Sequence, residues 1–321
     1  MRSAETPPLL VVLRPLGLGD LLTGVPALRA LAAAFPGHRR VLAAPVALAP
    51  LACATGAVHE VVDTQPLHPL PATLEGADVA VDLHGKGPAS HRVLLASRPR
   101  RLMAFANSEV PESAGMPTWV DDEHEVERWC RMLAGHGVPA DPSDLYLDPP
   151  AAEVPARAVG ATLIHPGAAF EARRWPVERF AAVAAAERAA GRPVVLTGTA
   201  GEEPRAQRVA RLAGLPADAV LAGRTDLAGL AALVRAAARV VSGDTGVAHL
   251  ATALGTPSVV LFGPTSPRHW GPPAGDLRHR ALWAGRSGDP HGQVPDPGLL
   301  ALTVEDVLRA LSLLESRRAA A

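Results

Sequence analysis

The sequence is poor in cysteine, in aromatic residues and in net charge, and each shortage excludes a class of protein. Two cysteines, Cys53 and Cys130, in 321 residues are too few for a disulfide scaffold or a cysteine-rich zinc site. Lys and Arg together number 31 and Asp and Glu 32, so the net charge of −1 gives no support for broad electrostatic binding to nucleic acid or to an anionic membrane. Aromatic residues make up only 3% of the chain, with Tyr146 as the one tyrosine, and Lys86 is the one lysine. The 48% of hydrophobic residues nevertheless predicts a folded chain with a sizeable core.

Neither a targeting segment nor a membrane span is predicted. The first apolar run, Leu9–Leu13, ends at Arg14 and is too short for the hydrophobic region of a signal peptide. The uncharged stretch at residues 41–59 could suggest a membrane span, but two prolines and a glycine interrupt it, so it predicts a strand followed by a helix. We therefore expect a cytoplasmic protein without a transmembrane segment, and contact with a membrane surface is left open.

Segments with the patterns of strands and helices alternate along the chain. In the first half, strands are predicted at residues 9–13, 40–44, 58–62 and 79–83, and helices at residues 20–35 and 46–55. In the second half, strands are predicted at residues 161–165, 193–197, 219–221, 239–242 and 258–262, and helices at residues 177–190, 202–214, 227–238, 246–254 and 304–316. Residues 263–298 show no clear period.

This alternation predicts an α/β protein made of two doubly wound domains. Repeated strand–helix units imply a parallel sheet with helices on both faces, and the Pro- and Asp-rich segment 138–155 is the best candidate for a linker. We expect two Rossmann-like domains, at residues 1–150 and 151–321, that face each other across a cleft. The last helix is free to pack back on the first domain. Ligands in such sheets bind beyond the carboxyl ends of the strands, so the unusual residues there are the candidates for function.

The segment Gly17-Leu18-Gly19-Asp20 directly follows the first predicted strand. Glycines at this place let a ligand approach the main chain, and a helix N-terminus attracts negative charge. The dinucleotide-binding fingerprint is incomplete, because position 22 is Leu22 and no acidic residue ends the second strand. Asp20 has two interpretations, a general base exposed in the cleft and a plain helix cap, and the segment alone leaves both open.

Residues 242–249 (SGDTGVAH) follow a predicted strand and open a predicted helix. Small residues and exposed main-chain N–H groups at such a place form a pocket for an anion. The hydroxyl of Thr245 can bond to a phosphate oxygen, and His249 lies in the first turn of the helix. Capping by Asp244 or Thr245 is the alternative interpretation. It does not explain why a histidine follows one turn into the helix, near Gly243 and Gly246. We favour the anion pocket.

Two other strand ends in the second half carry polar groups. Residues 165–168 precede Arg173 and Arg174, whose guanidinium groups suit a pyrophosphate; a pair on a solvated surface is the alternative. Glu202 and Glu203 follow the next predicted strand, where a carboxylate can accept hydrogen bonds from ribose hydroxyls. Their placement in the first turn of a helix explains them equally well.

In the first half, residues 82–87 (DLHGKG) end another strand, and His84 and Lys86 can line an acceptor pocket. A metal role for His84 is not expected, because no partner lies at ligand spacing, and the acidic run 121–125 is typical of a solvated surface. No two Asp residues are spaced as Asp-x-Asp, the usual sequence sign of a metal-dependent sugar-nucleotide site. We expect no metal and no cofactor.

Together these segments resemble glycosyltransferase family 9, the ADP-heptose:lipopolysaccharide heptosyltransferases, over nearly the whole chain. The most specific stretches are residues 18–31 (LGDLLTGVPALRAL) and 243–272 (GDTGVAHLATALGTPSVVLFGPTSPRHWGP). The resemblance implies a GT-B fold, which has two Rossmann-like domains, and metal-independent inverting transfer. Arg173 stands where the family usually has Lys, and residues 286–300 lack the cysteine pair that many members carry. Both the acceptor and the sugar are therefore left open.

The resemblance also implies roles for individual residues. Asp20 is implied to be the catalytic base. The expected donor-binding residues are Gly167, Ala168, Arg173, Arg174, Glu202, Glu203, Thr225, Asp244, Thr245, Gly246 and His249, and the expected acceptor-side residues are Gly17, Gly19, His84 and Lys86. No residue is expected to bind a metal, and sequence reasoning does not decide between Glu202 and Glu203 as the contact to the nucleotide.

The expected function is transfer of a sugar, a heptose by the resemblance, from an ADP-sugar to a hydroxyl of a glycan, glycolipid or small metabolite. The ADP-sugar is a co-substrate, and we expect a monomer with no nucleic-acid partner. Two alternatives stay open. One is a GT-B epimerase of the UDP-N-acetylglucosamine type, which would release sugar and nucleotide without an acceptor. The other is a catalytically inactive nucleotide-sugar-binding module, against which Asp20 argues.

Overall fold

The structure is a computed structural model that describes residues 7–318. The chain divides into two compact units, with the boundary between Asp148 and Pro149. Each unit contains one five-stranded sheet in which every pair of neighbouring strands is parallel. Parallel strands need crossover connections, and helices supply most of them here.

The first unit is built on a sheet with the strand order β3-β2-β1-β4-β5. Its strands are β1 (Leu9–Leu13), β2 (Arg39–Ala44), β3 (Glu60–Asp63), β4 (Val79–Asp82) and β5 (Leu102–Met103). Its helices are α1 (Leu18–Thr23), α2 (Val25–Ala34), α3 (Ala49–Ala54), α4 (Ala89–Ala96) and α5 (Glu125–Gly135). The apolar run of β1 lies in the middle of this sheet and is almost entirely buried, as the sequence of a central parallel strand requires.

The second unit is built on a sheet with the strand order β10-β9-β8-β6-β7. Its strands are β6 (Thr162–His165), β7 (Val194–Leu196), β8 (Arg239–Gly243), β9 (Ser258–Phe262) and β10 (His279–Trp283). Its helices are α6 (Val177–Ala189), α7 (Glu203–Ala213), α8 (Leu227–Ala236), α9 (Gly246–Ala253), α10 (Pro267–Trp270), α11 (Pro297–Ala301) and α12 (Val304–Arg318). Trp175 anchors the core of this unit beside Phe180, with its indole N–H donating to the carbonyl of Leu302 at 3.1 Å.

Each sheet has a switch point, where the direction of strand addition reverses. In the first unit it lies between β1 and β4, with Leu13 paired to Asp82, and in the second unit between β6 and β8, with His165 paired to Ser242. Ligands of doubly wound sheets bind in the crevice outside the carboxyl ends of such strands. The topology therefore places the loop after β1 beside the loop after β4, and the loop after β6 beside the loop after β8.

Several elements differ from those predicted from the sequence. The single helix predicted at residues 20–35 is two helices, α1 and α2, which meet at Gly24, with Pro26 in the first turn of α2. A strand at residues 219–221 is wrong, because Val220 makes only an isolated bridge to Leu196. The aperiodic segment 263–298 contains β10, and α4, β5 and α5 of the first unit were not predicted. Short elements among glycines and prolines give too few residues for a period to show.

The last helix packs within the second unit. Val307, Ala310, Leu311 and Leu314 of α12 are buried in the core that α6 and β9 also line, so the apolar face of this helix is used there. Among residues 7–318, no helix combines the length and the apolar character needed to cross a membrane.

Candidate active site

Asp20 lies in the first turn of α1, directly beyond the carboxyl end of β1. Its Oδ2 accepts a hydrogen bond from the main-chain N–H of Gly17, the N-cap residue, at 3.1 Å. Asp20 thus contributes to capping from the third helical position rather than from the cap itself. Its side chain remains 27% exposed, so a substrate can reach the carboxylate. Gly19 lies beside it in the first turn, and the helix begins at Leu18.

A buried arginine that sequence reasoning missed supports the main chain of Asp20. The Nε of Arg14 donates to the carbonyl oxygen of Asp20 at 2.6 Å, and its Nη2 lies 3.9 Å from Asp20 Oδ1. The same Nη2 donates to Glu125 Oε1 at 3.1 Å, and Glu125 also pairs with Arg128. Burial alone would raise the pKa of Glu125, but the charges of Arg14 and Arg128 outweigh it and hold that pKa below its usual value. The sequence did contain a signal for Arg14, because it is a charged residue directly after the apolar run of β1.

The loop after β4 forms the other side of this switch point. The main-chain N–H of His84 donates to Asp82 Oδ1 at 2.8 Å, and Asp82 Oδ2 lies 2.7 Å from Nδ1 of the buried His91. Burial lowers the pKa of His84, and the charge of Arg14 adds to this, so the opposing charges of Asp82 and Asp20 are outweighed. Nδ1 of His84 is buried and has no hydrogen-bond partner in the part of the chain that the structure describes. Lys86 is exposed and lies 3.6 Å from Asp121.

In the second unit, Asp244 and Thr245 lie where β8 ends and α9 begins. Thr245 occupies the N-cap position, but its side chain makes no capping bond, and its hydroxyl is buried without a partner among residues 7–318. Capping therefore does not account for Thr245. Burial raises the pKa of Asp244 to about 6, against the opposing charge of Arg173. Both features fit a pocket whose polar groups are completed by a ligand.

The two neighbouring arginines lie in different surroundings. Arg173 faces the end of β8: its Nη1 lies 3.5 Å from the carbonyl of Asp244, and its Nε is buried with no partner in the described chain. A Cβ on Gly243 would lie only 3.2 Å from the carbonyl oxygen of Arg173, so the two segments approach closely. Arg174 instead donates from Nε to the carbonyl of Ala168 at 2.8 Å and pairs with Glu171. Arg173 is thus available to an anion, and Arg174 holds the loop after β6.

Glu202 and Glu203 are clearly distinguished by the structure. The carboxylate of Glu202 lies against Gly167 so closely that a Cβ there would stand 2.1 Å from Glu202 Oε1. Its Oε2 also accepts the main-chain N–H of Thr199 at 2.8 Å. Glu203 instead accepts a hydrogen bond from Gln207 of its own helix at 3.0 Å. Of the two glutamates, Glu202 is therefore the one that lies at the end of β6.

The remaining donor-side candidates lie around α8 and α9. Gly246 is the first residue of α9, and His249 lies one turn further, with its ring in edge contact with Trp270 at 5.9 Å. Thr225 is exposed just before α8, where Asp226 forms the cap. Thr225 lies in the connection that leads into α8 and is not among the residues at the ends of β6 and β8.

The structure thus groups most of the candidates into one set per unit. In the first unit the set comprises Gly17, Gly19, Asp20 and His84, with Lys86 further along the same loop. In the second unit it comprises Gly167, Ala168, Arg173, Glu202, Asp244, Thr245 and Gly246. No cluster of three or more His, Cys, Asp or Glu side chains suited to a metal ion occurs within the described range, residues 7–318.

Comparison with known proteins shows which family this chain resembles. Over residues 114–288 the chain matches the family model described as "Glycosyltransferase family 9 (heptosyltransferase)". It is 34% identical over 161 residues to "Lipooligosaccharide heptosyltransferase 2" of Haemophilus influenzae, and this alignment covers 46% of this chain and 45% of the relative. It is 36% identical over 150 residues to "Lipopolysaccharide heptosyltransferase 1" of Pseudomonas aeruginosa, and this alignment covers 45% of this chain and 41% of that relative. The matched stretch thus spans less than half the length of these curated relatives.

One similar solved structure is that of the ADP-heptose lipopolysaccharide heptosyltransferase II of E. coli, with a TM-score of 0.72 and 24% identity over 97% of this chain and 99% of that one. Two units, each with a parallel five-stranded sheet, and this likeness define a GT-B fold. The chain belongs to glycosyltransferase family 9, because the family model matches more than half of its length.

Proposed function

We propose that this protein is an inverting glycosyltransferase that transfers a heptose from ADP-heptose to a hydroxyl of a glycan or glycolipid acceptor. The observation that carries the proposal is the position of Asp20: a partly exposed carboxylate at the switch point of the first unit, held at the start of a helix. The names of the curated relatives and of the E. coli structure support heptose as the sugar and ADP as the nucleotide.

In the proposed reaction the acceptor hydroxyl attacks the anomeric carbon of the donor while Asp20 takes its proton. The new carbon–oxygen bond forms as the bond from the anomeric carbon to the phosphate oxygen breaks, so the configuration inverts and ADP leaves with the electron pair. The first unit supplies the base. We assign His84 to the acceptor side of the same switch point, because its buried Nδ1 has no hydrogen-bond partner among residues 7–318.

The second unit supplies the groups for the ADP moiety. Arg173 and the main-chain N–H groups at the start of α9 offer positive charge to the departing diphosphate, and the unpartnered Thr245 hydroxyl offers it a hydrogen bond. Glu202 is placed for a ribose hydroxyl, and Asp244 and His249 complete the donor pocket. The ADP-sugar is a co-substrate and no cofactor takes part. Because nucleotide sugars are cytoplasmic metabolites, we place the reaction in the cytoplasm, carried out by a monomer.

The experiment that tests this function is single-turnover transfer by Asp20→Asn. Asn can still accept the hydrogen bond from Gly17, but it cannot take up a proton, so transfer should fall roughly 10²–10⁴-fold. ADP-heptose affinity and melting temperature should change little, because the base addresses the acceptor. Transfer near the wild-type rate would remove Asp20 from the mechanism.

The same assay separates the two alternative functions. Release of free sugar and nucleotide without an acceptor would indicate an epimerase of the UDP-N-acetylglucosamine type. Tight binding of the donor with no turnover under any acceptor condition would indicate a binding module. Thermal-shift comparison of ADP-, UDP- and GDP-sugars identifies the nucleotide, and stabilisation by a UDP-sugar alone would contradict the proposed donor.

A further inference from the structure

Arg14 is the most connected buried side chain near the proposed base. Its side chain is 1% exposed, and all three of its nitrogen atoms are used. Nε donates to the Asp20 carbonyl at 2.6 Å, Nη1 donates to the carbonyl of Leu83, and Nη2 donates to Thr23 Oγ1 at 3.2 Å and to Glu125 Oε1 at 3.1 Å. One guanidinium therefore joins the loop after β1, helix α1, the end of β4 and helix α5.

These contacts require an arginine. A guanidinium directs its donors in a fixed planar fork, whereas a lysine ammonium carries its three donors on one nitrogen atom and cannot reach all four of these acceptors. The buried charge is matched by Glu125, whose second oxygen pairs with Arg128. The indole N–H of Trp129 donates to Glu125 Oε1 at 2.8 Å, and the Arg14 guanidinium lies 5.0 Å from the centre of that indole ring.

The contacts of Arg14 converge on groups that the proposed reaction uses. Its bond to the Asp20 carbonyl fixes the main chain from which the carboxylate extends, and Leu83 immediately precedes His84. Thr23 strengthens the arrangement, since its hydroxyl also donates to the Asp20 carbonyl at 3.0 Å. A buried arginine in the second unit, Arg239, gives a contrast.

Arg239 has a 6% exposed side chain and bonds to Glu187 and Glu315, yet it lies at the first residue of β8, the opposite end of the strand from Asp244. It therefore resembles Arg14 in burial and pairing, but it contacts none of the candidate site residues.

We infer that Arg14 is a positioning residue: anchored by Glu125, it holds the Asp20 loop and the His84 loop in the geometry that the reaction needs. This inference rests on the proposed role of Asp20 as the base. A displacement of the base by about 1 Å is enough to slow a reaction about 100-fold. Loss of Arg14 should therefore lower kcat, while the donor pocket of the second unit keeps its affinity.

The test compares Arg14→Lys with Arg239→Lys. Each substitution keeps the positive charge of a buried arginine and removes the planar guanidinium with its several hydrogen-bond donors. For Arg14→Lys we expect kcat to fall roughly 10–100-fold and KM for the ADP-sugar to stay within about twofold. We expect the melting temperature to fall by a similar amount in both variants, because each loses hydrogen bonds of a buried arginine. For Arg239→Lys we expect kcat to stay within about twofold of the wild-type value. An equal loss of kcat in both variants, or a loss in neither, would overturn the inference.

A milder variant covers the case in which Arg14→Lys does not fold. Thr23→Val keeps the side-chain volume and removes the hydroxyl that bonds to both Arg14 and the Asp20 carbonyl, so kcat should fall several-fold with donor KM unchanged. A kcat equal to that of wild type in Thr23→Val, together with an unfolded Arg14→Lys, would assign Arg14 to stability alone and overturn the inference.

Two readouts separate this inference from the proposed function. If Arg14 acts mainly through Asp20, adding Arg14→Lys to Asp20→Asn should slow transfer much less than Arg14→Lys does alone, with the remainder due to the His84 loop. Fully multiplied losses would contradict the inference and leave Asp20 as the base. Hydrogen exchange needs no substrate: peptides covering residues 14–24 and 83–90 should exchange faster in Arg14→Lys and not in Arg239→Lys. Unchanged exchange in both peptides would overturn the positioning role even if no transfer is detected.

Discussion

At the scale of single residues, Asp244 combines deep burial with a place at the end of β8. Its residue is 7% exposed, and burial raises its pKa from an ordinary 3.8 to about 6, with Arg173 opposing the shift. Between these two values the folded state binds a proton that the unfolded state has already lost. The free energy of unfolding therefore falls as the pH rises from about 4 to about 6 and stays lower above that range. A carboxylate kept at this cost near neutral pH is typical of a functional site.

Asp244→Asn tests this account. Asn has the shape of a protonated Asp and carries no charge, so the free energy of unfolding at pH 7.5 should rise by on the order of 1–3 kcal/mol. At pH 4 the gain should vanish, because wild-type Asp244 is then protonated when folded. Urea unfolding at both pH values measures the difference, with the exposed Asp289→Asn as the control. An equal gain at both pH values would show that the charge is not the cause.

At the scale of elements, the set of candidate residues in the second unit depends on contact between the loop after β6 and the loop after β7. The loop after β6 brings Gly167 against the carboxylate of Glu202, which lies between β7 and α7. Glu202 also lies 4.0 Å from His165, the last residue of β6, whose pKa burial lowers despite the charge of Glu202. A glycine is needed at position 167 because any side chain there would occupy the place of the carboxylate.

Gly167→Ala should displace Glu202 without unfolding the protein, because the new Cβ meets the end of a flexible side chain. We expect ADP-sugar affinity to fall about tenfold, as when one hydrogen-bonded partner is lost, with the melting temperature little changed. The double variant Gly167→Ala/Glu202→Gln should bind as weakly as Glu202→Gln alone, as calorimetry can show. Gly201→Ala, whose Cβ would have a nearest neighbour at 3.9 Å, serves as the control. Fully additive losses would mean that the two positions act separately.

At the scale of the whole molecule, each unit has its own sheet, its own core and its own switch point. The two switch points offer different groups: the first unit has the Asp20 carboxylate above a buried ion cluster, and the second has the Arg173 guanidinium beside the start of α9. In the proposed reaction these protein groups would stabilise the departing diphosphate, a role that a divalent metal ion has in other enzymes.

We predict that the proposed transfer needs no metal ion, because Arg173 and the start of α9 would supply the positive charge. The rate of the proposed transfer in excess chelator should stay within about twofold of the untreated rate, and added Mg²⁺ or Mn²⁺ should not increase it. Initial rates measured with and without chelator give the comparison, with Asp20→Asn as the background. A loss of activity that either metal ion restores would contradict this prediction.

The sequence by itself determined the local features of this protein. Buried parallel strands appear as continuous apolar runs, and a glycine-containing turn after a strand predicts an end that binds a ligand. From this pattern Asp20, Thr245 and the pair Arg173 and Arg174 could be named as candidates, but the sequence did not distinguish the two arginines. Family membership and the GT-B fold follow from the same segments and are confirmed by the family match and the structural likeness. Short elements such as β5 and β10 gave too weak a pattern to be found.

The tertiary structure alone decided which of these features meet. Strand order brings β1 beside β4 and β6 beside β8, and no residue pattern within a strand encodes its neighbour. Arg14 meets Glu125 across 111 positions of the chain, and Gly167 excludes a side chain only because Glu202 lies against it. Periodicity reports the burial of a segment, whereas contacts between distant segments depend on how the whole chain packs, so the structure was needed to choose Glu202 over Glu203 and to reveal Arg14.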